Sequence, residues 1–106
     1  MVTIQEAAQH IGIDYLDDEM VRANLQRALD SAIYRLYGAV GRDVEEHLDG
    51  DPRVDQLVLI YTEEAYDNYP GSAKMDAAKN HLRDTLELQL KLELSILKET
   101  DGGADV

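Results

Sequence analysis

Thr85-Leu86-Glu87-Leu88-Gln89-Leu90-Lys91-Leu92-Glu93-Leu94-Ser95-Ile96 is the stretch on which the fold class turns. Apolar and polar residues alternate strictly, the pattern of a half-buried β-strand. Residue type argues the other way. Leu, Glu, Gln and Lys are helix formers, and β-branched residues stand only at the ends, Thr85 and Ile96. On a helix, at about 100° per residue, the apolar positions separate into two groups. Leu86, Leu90 and Leu94 follow one side; Leu88, Leu92 and Ile96 follow the roughly opposite side. A helix of a small domain needs one apolar stripe for its own core. The second stripe predicts a second partner, most simply another copy of the chain.

Start and stop signals around this stretch predict an all-α fold. Thr3 followed by Glu6 has capping-box spacing, and Ile4, Ala7, Ala8 and Ile11 recur at helical intervals, giving a short helix over about 4–10 that ends near Gly12. Asp17-Asp18-Glu19 is an acidic start suited to the positive end of a helix dipole. Val21, Leu25, Ala28, Leu29, Ala32, Ile33 and Leu36 continue from it as one amphipathic face, with Gly38 as the predicted stop. Residues 38–51 hold three glycines and five acids and read as a loop, with room for a turn of helix at 43–48. Asp51-Pro52 is an N-cap followed by proline at the first helical position. The helix it opens, about 52–69, is apolar on nearly every side at Leu57-Val58-Leu59-Ile60-Tyr61 and should be the most buried element. Pro70-Gly71 breaks it, and Ser72 caps a last helix that reaches about Lys98. The expected architecture is a short N-terminal helix and three longer ones packed as a small bundle, in one domain over 1–97, with a flexible tail at 98–106.

Composition narrows the function classes. A 106-residue chain fits one domain with a modest core, to which a partner interface would add. Cysteine is absent, which excludes disulfides, zinc-thiolate sites and thiol nucleophiles. No apolar run approaches the roughly 20 residues of a membrane span, and Met1 to His10 lack the basic start of a signal peptide, so a cytoplasmic protein without membrane association is expected. Ten basic residues against 22 acidic ones give a formal net charge of -12. Neutralising DNA phosphates needs the reverse, so specific nucleic-acid binding is not expected.

The residue types that carry chemistry do not converge. His10, His47 and His81 stand in no ligand spacing. The acids around His47 (Glu45, Glu46, Asp49 and Asp51) lack the ordering of a calcium loop and read as a solvated acidic segment. Ser31, Ser72 and Ser95 sit in no nucleophile elbow, and Gly38 and Gly41 form no phosphate loop. No catalytic residue, metal ligand or cofactor site is assigned, and an enzyme is not expected. Tyr34, Tyr37, Tyr61 and Tyr66, at helical spacing, are expected in the core with their hydroxyls at its rim. Tyr69, beside Pro70, is the tyrosine expected at the surface as an interface anchor, together with Leu88, Leu92 and Ile96.

The order of features resembles a known family. An acidic start (Leu16-Asp17-Asp18-Glu19) leads to a helix ending in Tyr37-Gly38, then a Gly/Asp loop, then Asp51-Pro52-Arg53-Val54-Asp55-Gln56-Leu57-Val58-Leu59. That helix ends in Ala65-Tyr66-Asp67-Asn68-Tyr69, and a Leu-rich helix closes the chain. This looks like the small head-tail connector proteins of tailed bacteriophages, also called adaptor or head-completion proteins. The likeness spans about residues 14–97 and departs at Asn68-Tyr69, where many relatives carry Asn-Arg. The resemblance implies an all-α protomer assembled as a ring, commonly of twelve copies, in the virion neck beneath the portal protein, with the host cytoplasm as its location before assembly. Such a ring extends the DNA channel, helps retain packaged DNA, and offers a platform to a downstream connector or tail-completion protein. DNA passes through without specific binding, and no cofactor is implied. On this reading Asp43, Glu45 and Glu46 line the channel and repel phosphate. The alternative from another class is a small acidic interaction module, of inhibitor or DNA-mimic type, that binds a basic partner.

Overall fold

The computed structural model describes residues 2–66 and 77–103, and within them the chain is all-α, a small bundle of helices with no strand. Five helices follow in order: α1, Ile4–Ile11; α2, Glu19–Ala39; α3, Val44–Leu48; α4, Pro52–Tyr66; and α5, Ala77–Gly103.

The ends of these helices are set by local chemistry. Thr3 and Glu6 form a reciprocal capping box: the Thr3 side chain accepts from the Glu6 amide at 3.2 Å, and the Glu6 carboxylate accepts from the Thr3 amide at 3.2 Å. Gly12, at φ 90°, closes α1 in the left-handed region and donates to the Ala8 carbonyl. At the start of α2 the Asp18 carboxylate accepts from the amides of Met20 and Val21 at 2.9 and 3.1 Å. Asp51 does the same for α4, accepting from the Arg53 amide at 2.9 Å.

Two boundaries differ from the sequence reading. Gly38 does not stop α2; the helix passes through it and ends at Ala39. An exposed glycine inside a helix costs about 1 kcal/mol relative to alanine, and the packing of the rest of α2 offsets this. The glycine that turns the chain is Gly41, at φ 142°. A Cβ there would stand 2.8 Å from Leu94 Cδ2, so the loop lies directly against α5. At the other end, α5 runs past Lys98 to Gly103. Tyr69 and the proposed Ser72 cap lie outside the described residues, as do residues 104–106.

The core is built around α4, which packs on α2 along one side and on α5 along the other; α1 closes over α2 and α4, and α3 leans on α5. Leu57, Val58, Ile60 and Tyr61 of α4 are buried, as are Leu25, Ala28, Leu29, Ala32 and Leu36 of α2. The nearly all-round apolar character of α4 therefore has its cause in three helical neighbours, α1, α2 and α5. Thr62, the buried polar residue of α4, donates its hydroxyl to the Val58 carbonyl at 2.8 Å, so it leaves no orphaned group in the core.

Candidate functional site: an apolar face on the last helix

Residues 85–96, with their two apolar stripes, are helical throughout. Their two stripes meet opposite fates. Leu86, Leu90 and Leu94 are 5%, 0% and 3% exposed and belong to the core. Leu88, Leu92 and Ile96 are 59%, 56% and 62% exposed. Three large aliphatic side chains one helical turn apart thus form a single outward ridge, with ends about 12 Å apart. Single exposed apolar residues are ordinary on a protein surface, whereas a contiguous row makes this face the candidate for an interaction.

The rotation of α5 about its axis, which decides which stripe faces out, is held by polar ties along its length. Arg53 of α4 is bidentate on Asp51, at 3.0 and 2.6 Å, and its Nη2 also reaches the Glu93 carboxylate of α5. The Arg53 guanidinium beside it holds the Asp51 carboxyl below the ordinary carboxylate range. Tyr61 of α4 donates its hydroxyl to Glu87 of α5. Burial, and then the Glu87 hydrogen bond, push the Tyr61 phenol well above its ordinary value, so it stays neutral and a donor. Glu64 of α4 stands between Arg35 of α2 and Arg83 of α5, with Arg83 Nη1 3.0 Å away, and the Arg35 guanidinium lies 4.3 Å from the Tyr61 ring centre. Further along, Lys98 pairs with Asp43 at 2.9 Å. Each exposed pair alone contributes little; together with the Leu94–Gly41 contact they leave α5 one orientation.

The other residues expected at a site are spread differently. Glu46 is exposed on α3. Glu45 accepts a hydrogen bond from the Tyr37 hydroxyl, which raises the pKa of that phenol. Asp43 gives its carboxylate to Lys98 and makes no side-chain cap for α3; the Lys98 hydrogen bond holds its pKa below the usual carboxylate range. Of the three acids proposed for a channel, one is thus neutralised within its own chain. Tyr69 lies outside the described residues.

One expectation is corrected. Tyr61 is buried, and Tyr37 and Tyr66 pack partly against the core, but Tyr34 is 74% exposed. The sequence carried the signal: Tyr34 lies about half a turn around α2 from both Leu25 and Leu36, off the apolar stripe. Met20, also 74% exposed, shares its side of the helix. Beside Tyr34, between α2 and α4, a cleft of about 330 Å³ is lined by Ser31, Ala32, Arg35, Tyr61, Glu64 and Ala65.

Among the described residues no three or more His, Cys, Asp or Glu side chains group as metal ligands, and no helix is long and apolar enough to cross a membrane. What the described surface offers is apolar area in a defined shape. Comparison with protein-family models, curated proteins and solved structures finds no match to this chain.

Proposed function

We propose that the protein is a structural component of a tailed-phage virion neck, a ring of identical copies below the portal protein that extends the DNA channel and carries the tail or the next connector. One observation carries this reading: the Leu88, Leu92 and Ile96 ridge stays exposed on a helix whose other stripe is already fully used in the core. Copies assembling through that ridge would bury it. The net charge of -12 supports the same reading, because a channel wall rich in carboxylates repels phosphate and lets DNA slide. Since Lys98 neutralises Asp43, Glu45 and Glu46 are the acids of α3 that would supply this repulsion.

The test is electron microscopy of lysates from the genome that carries this gene, with an early stop codon in it. Heads that leak or stand beside unattached tails are the expected result. Normal tailed particles would contradict the neck reading and leave an acidic module that binds a basic partner.

A further inference from the structure

We infer that the free chain pairs with a second copy of itself, the two α5 helices lying antiparallel with their outer ridges face to face. The inference goes beyond the neck reading and concerns the chain before it enters a ring.

The outward face of α5 extends past its three large aliphatic residues. At about 100° per residue, His81, Thr85, Leu88, Leu92, Ser95 and Glu99 fall within an arc of about 80°. They are spaced 4, 3, 4, 3 and 4 residues apart, the spacing of a coiled-coil seam, and run for about 27 Å of unbroken helix. All are exposed except Thr85, which is half-buried.

The order of residue types along this seam selects the partner, because it reads alike in both directions: polar end, hydroxyl, leucine, leucine, hydroxyl, polar end. Two copies set antiparallel about the level of residue 90 therefore match layer by layer. Leu88 meets Leu92, Thr85 meets Ser95, and the His81 imidazole meets the Glu99 carboxylate, each twice. On one flank Ile96 comes within about 3 Å, along the axis, of Leu82 in the other copy. The four exposed large aliphatic side chains of α5 all enter the contact. A parallel pair would instead oppose Glu99 to Glu99 and His81 to His81.

The remaining charges lie on the two flanks. Asp84 comes alongside Ser95 and Lys98 of the other copy, and about 4.5 Å along the axis from its Glu99. Asp84 is already paired with Arg83 in its own chain and Lys98 with Asp43, so the match does not rest on them. Glu93, on the other flank, is tied to Arg53. Lys91 approaches its counterpart across the twofold axis, about 100° off the seam, where both ammonium groups reach water. Each copy carries a net charge of -12, and that general repulsion opposes pairing. Salt screens it, so the pair tightens as salt rises.

A twofold contact uses the same patch on both copies and does not propagate. Pairing thus covers the ridge and stops at two, and a ring built through the same ridge forms only after the pair opens.

The test uses the full chain, which has no cysteine. Sedimentation velocity of the wild type should show a dimer and nothing larger, populated further at high salt. Thr85→Cys and Ser95→Cys are then oxidised separately and as an equimolar mixture. The mixture should give a disulfide-linked heterodimer and the separate proteins none, because Thr85 stands about 15 Å along the axis from its own counterpart. His81→Glu should weaken the dimer about tenfold by setting glutamate against Glu99, and adding Glu99→Lys should restore it. Circular dichroism verifies that both keep their helix content. A wild-type monomer at every concentration and salt, an oligomer larger than two, or crosslinking of either cysteine variant alone would overturn the pairing. The neck reading is tested separately, by the shape of particles made without this gene.

Discussion

The two stripes of α5 are made of nearly the same residues and have opposite surroundings. Leu86, Leu90 and Leu94 lie against α4 and the Gly41 loop; Leu88, Leu92 and Ile96 lie in solvent. Nothing intrinsic to leucine separates them. The difference lies in what the rest of the chain places opposite each stripe: Tyr61, Arg53 and Asp43 tie α5 down with one stripe inward and the other more than half exposed. One helix therefore contributes to stability through one face and leaves the second exposed, the face proposed above for association.

Substitutions on the two faces should separate these roles. Leu90→Ala empties a fully buried position and should lower unfolding free energy by about 3 kcal/mol in a urea titration. Leu88→Ala should change it by less than about 0.5 kcal/mol. Equal losses at the two sites would erase the distinction. Gly41→Val should cost about 1–3 kcal/mol by the same measurement, because the glycine has φ 142° and its added side chain would run into buried Leu94. A neutral result there would mean that the loop does not press on the inner stripe.

Asp51→Ala removes the cap of α4 and one partner of Arg53, and should cost about 1 kcal/mol through the cap alone. The same residue sets a pH dependence. Its folded-state pKa is lowered, so its contribution is complete above the unfolded value of about 3.9 and is lost as pH falls through the folded value. Thermal melts of the wild type should lose stability below about pH 4, and Asp51→Asn should flatten that loss. Identical slopes in the two proteins would exclude the Asp51–Arg53 tie as an acid-sensitive link. The smallest effect is expected from Glu46→Lys, an exposed change that should leave stability within about 0.5 kcal/mol and, on the proposed neck reading, slow passage of DNA. Unchanged packaging and ejection rates would remove α3 from the channel wall.

Much of the fold was legible because caps and periodicity are local. Thr3, Gly12, Asp18 and Asp51 act where their spacing predicts. The end of α2 is not legible in this way, because Gly38 and Gly41 look alike in sequence and only the approach of Leu94 tells which one must lack a side chain. The ridge was legible as a surplus of leucine, and the stripe expected at the surface, Leu88, Leu92 and Ile96, is the exposed one; the ties from Arg53, Tyr61 and Asp43 that hold α5 this way round are tertiary and have no local signal. Tyr34 departs from the expected burial because its angular position, off the apolar stripe, outweighs its aromatic character. The cleft beside it joins residues about 30 apart in the chain, and no local pattern announces such a meeting.

The absence of cysteine from the chain makes the most direct test of the central claim simple. Leu92→Cys places a single thiol on the ridge, and Glu46→Cys provides an exposed control on α3. The rate of maleimide labelling is then followed as protein concentration rises. If the ridge is an assembly surface, labelling of Leu92→Cys slows as copies associate while labelling of Glu46→Cys does not. Labelling of Leu92→Cys that stays fast at every concentration, in protein that has assembled, would show that the ridge remains in solvent and would contradict the account.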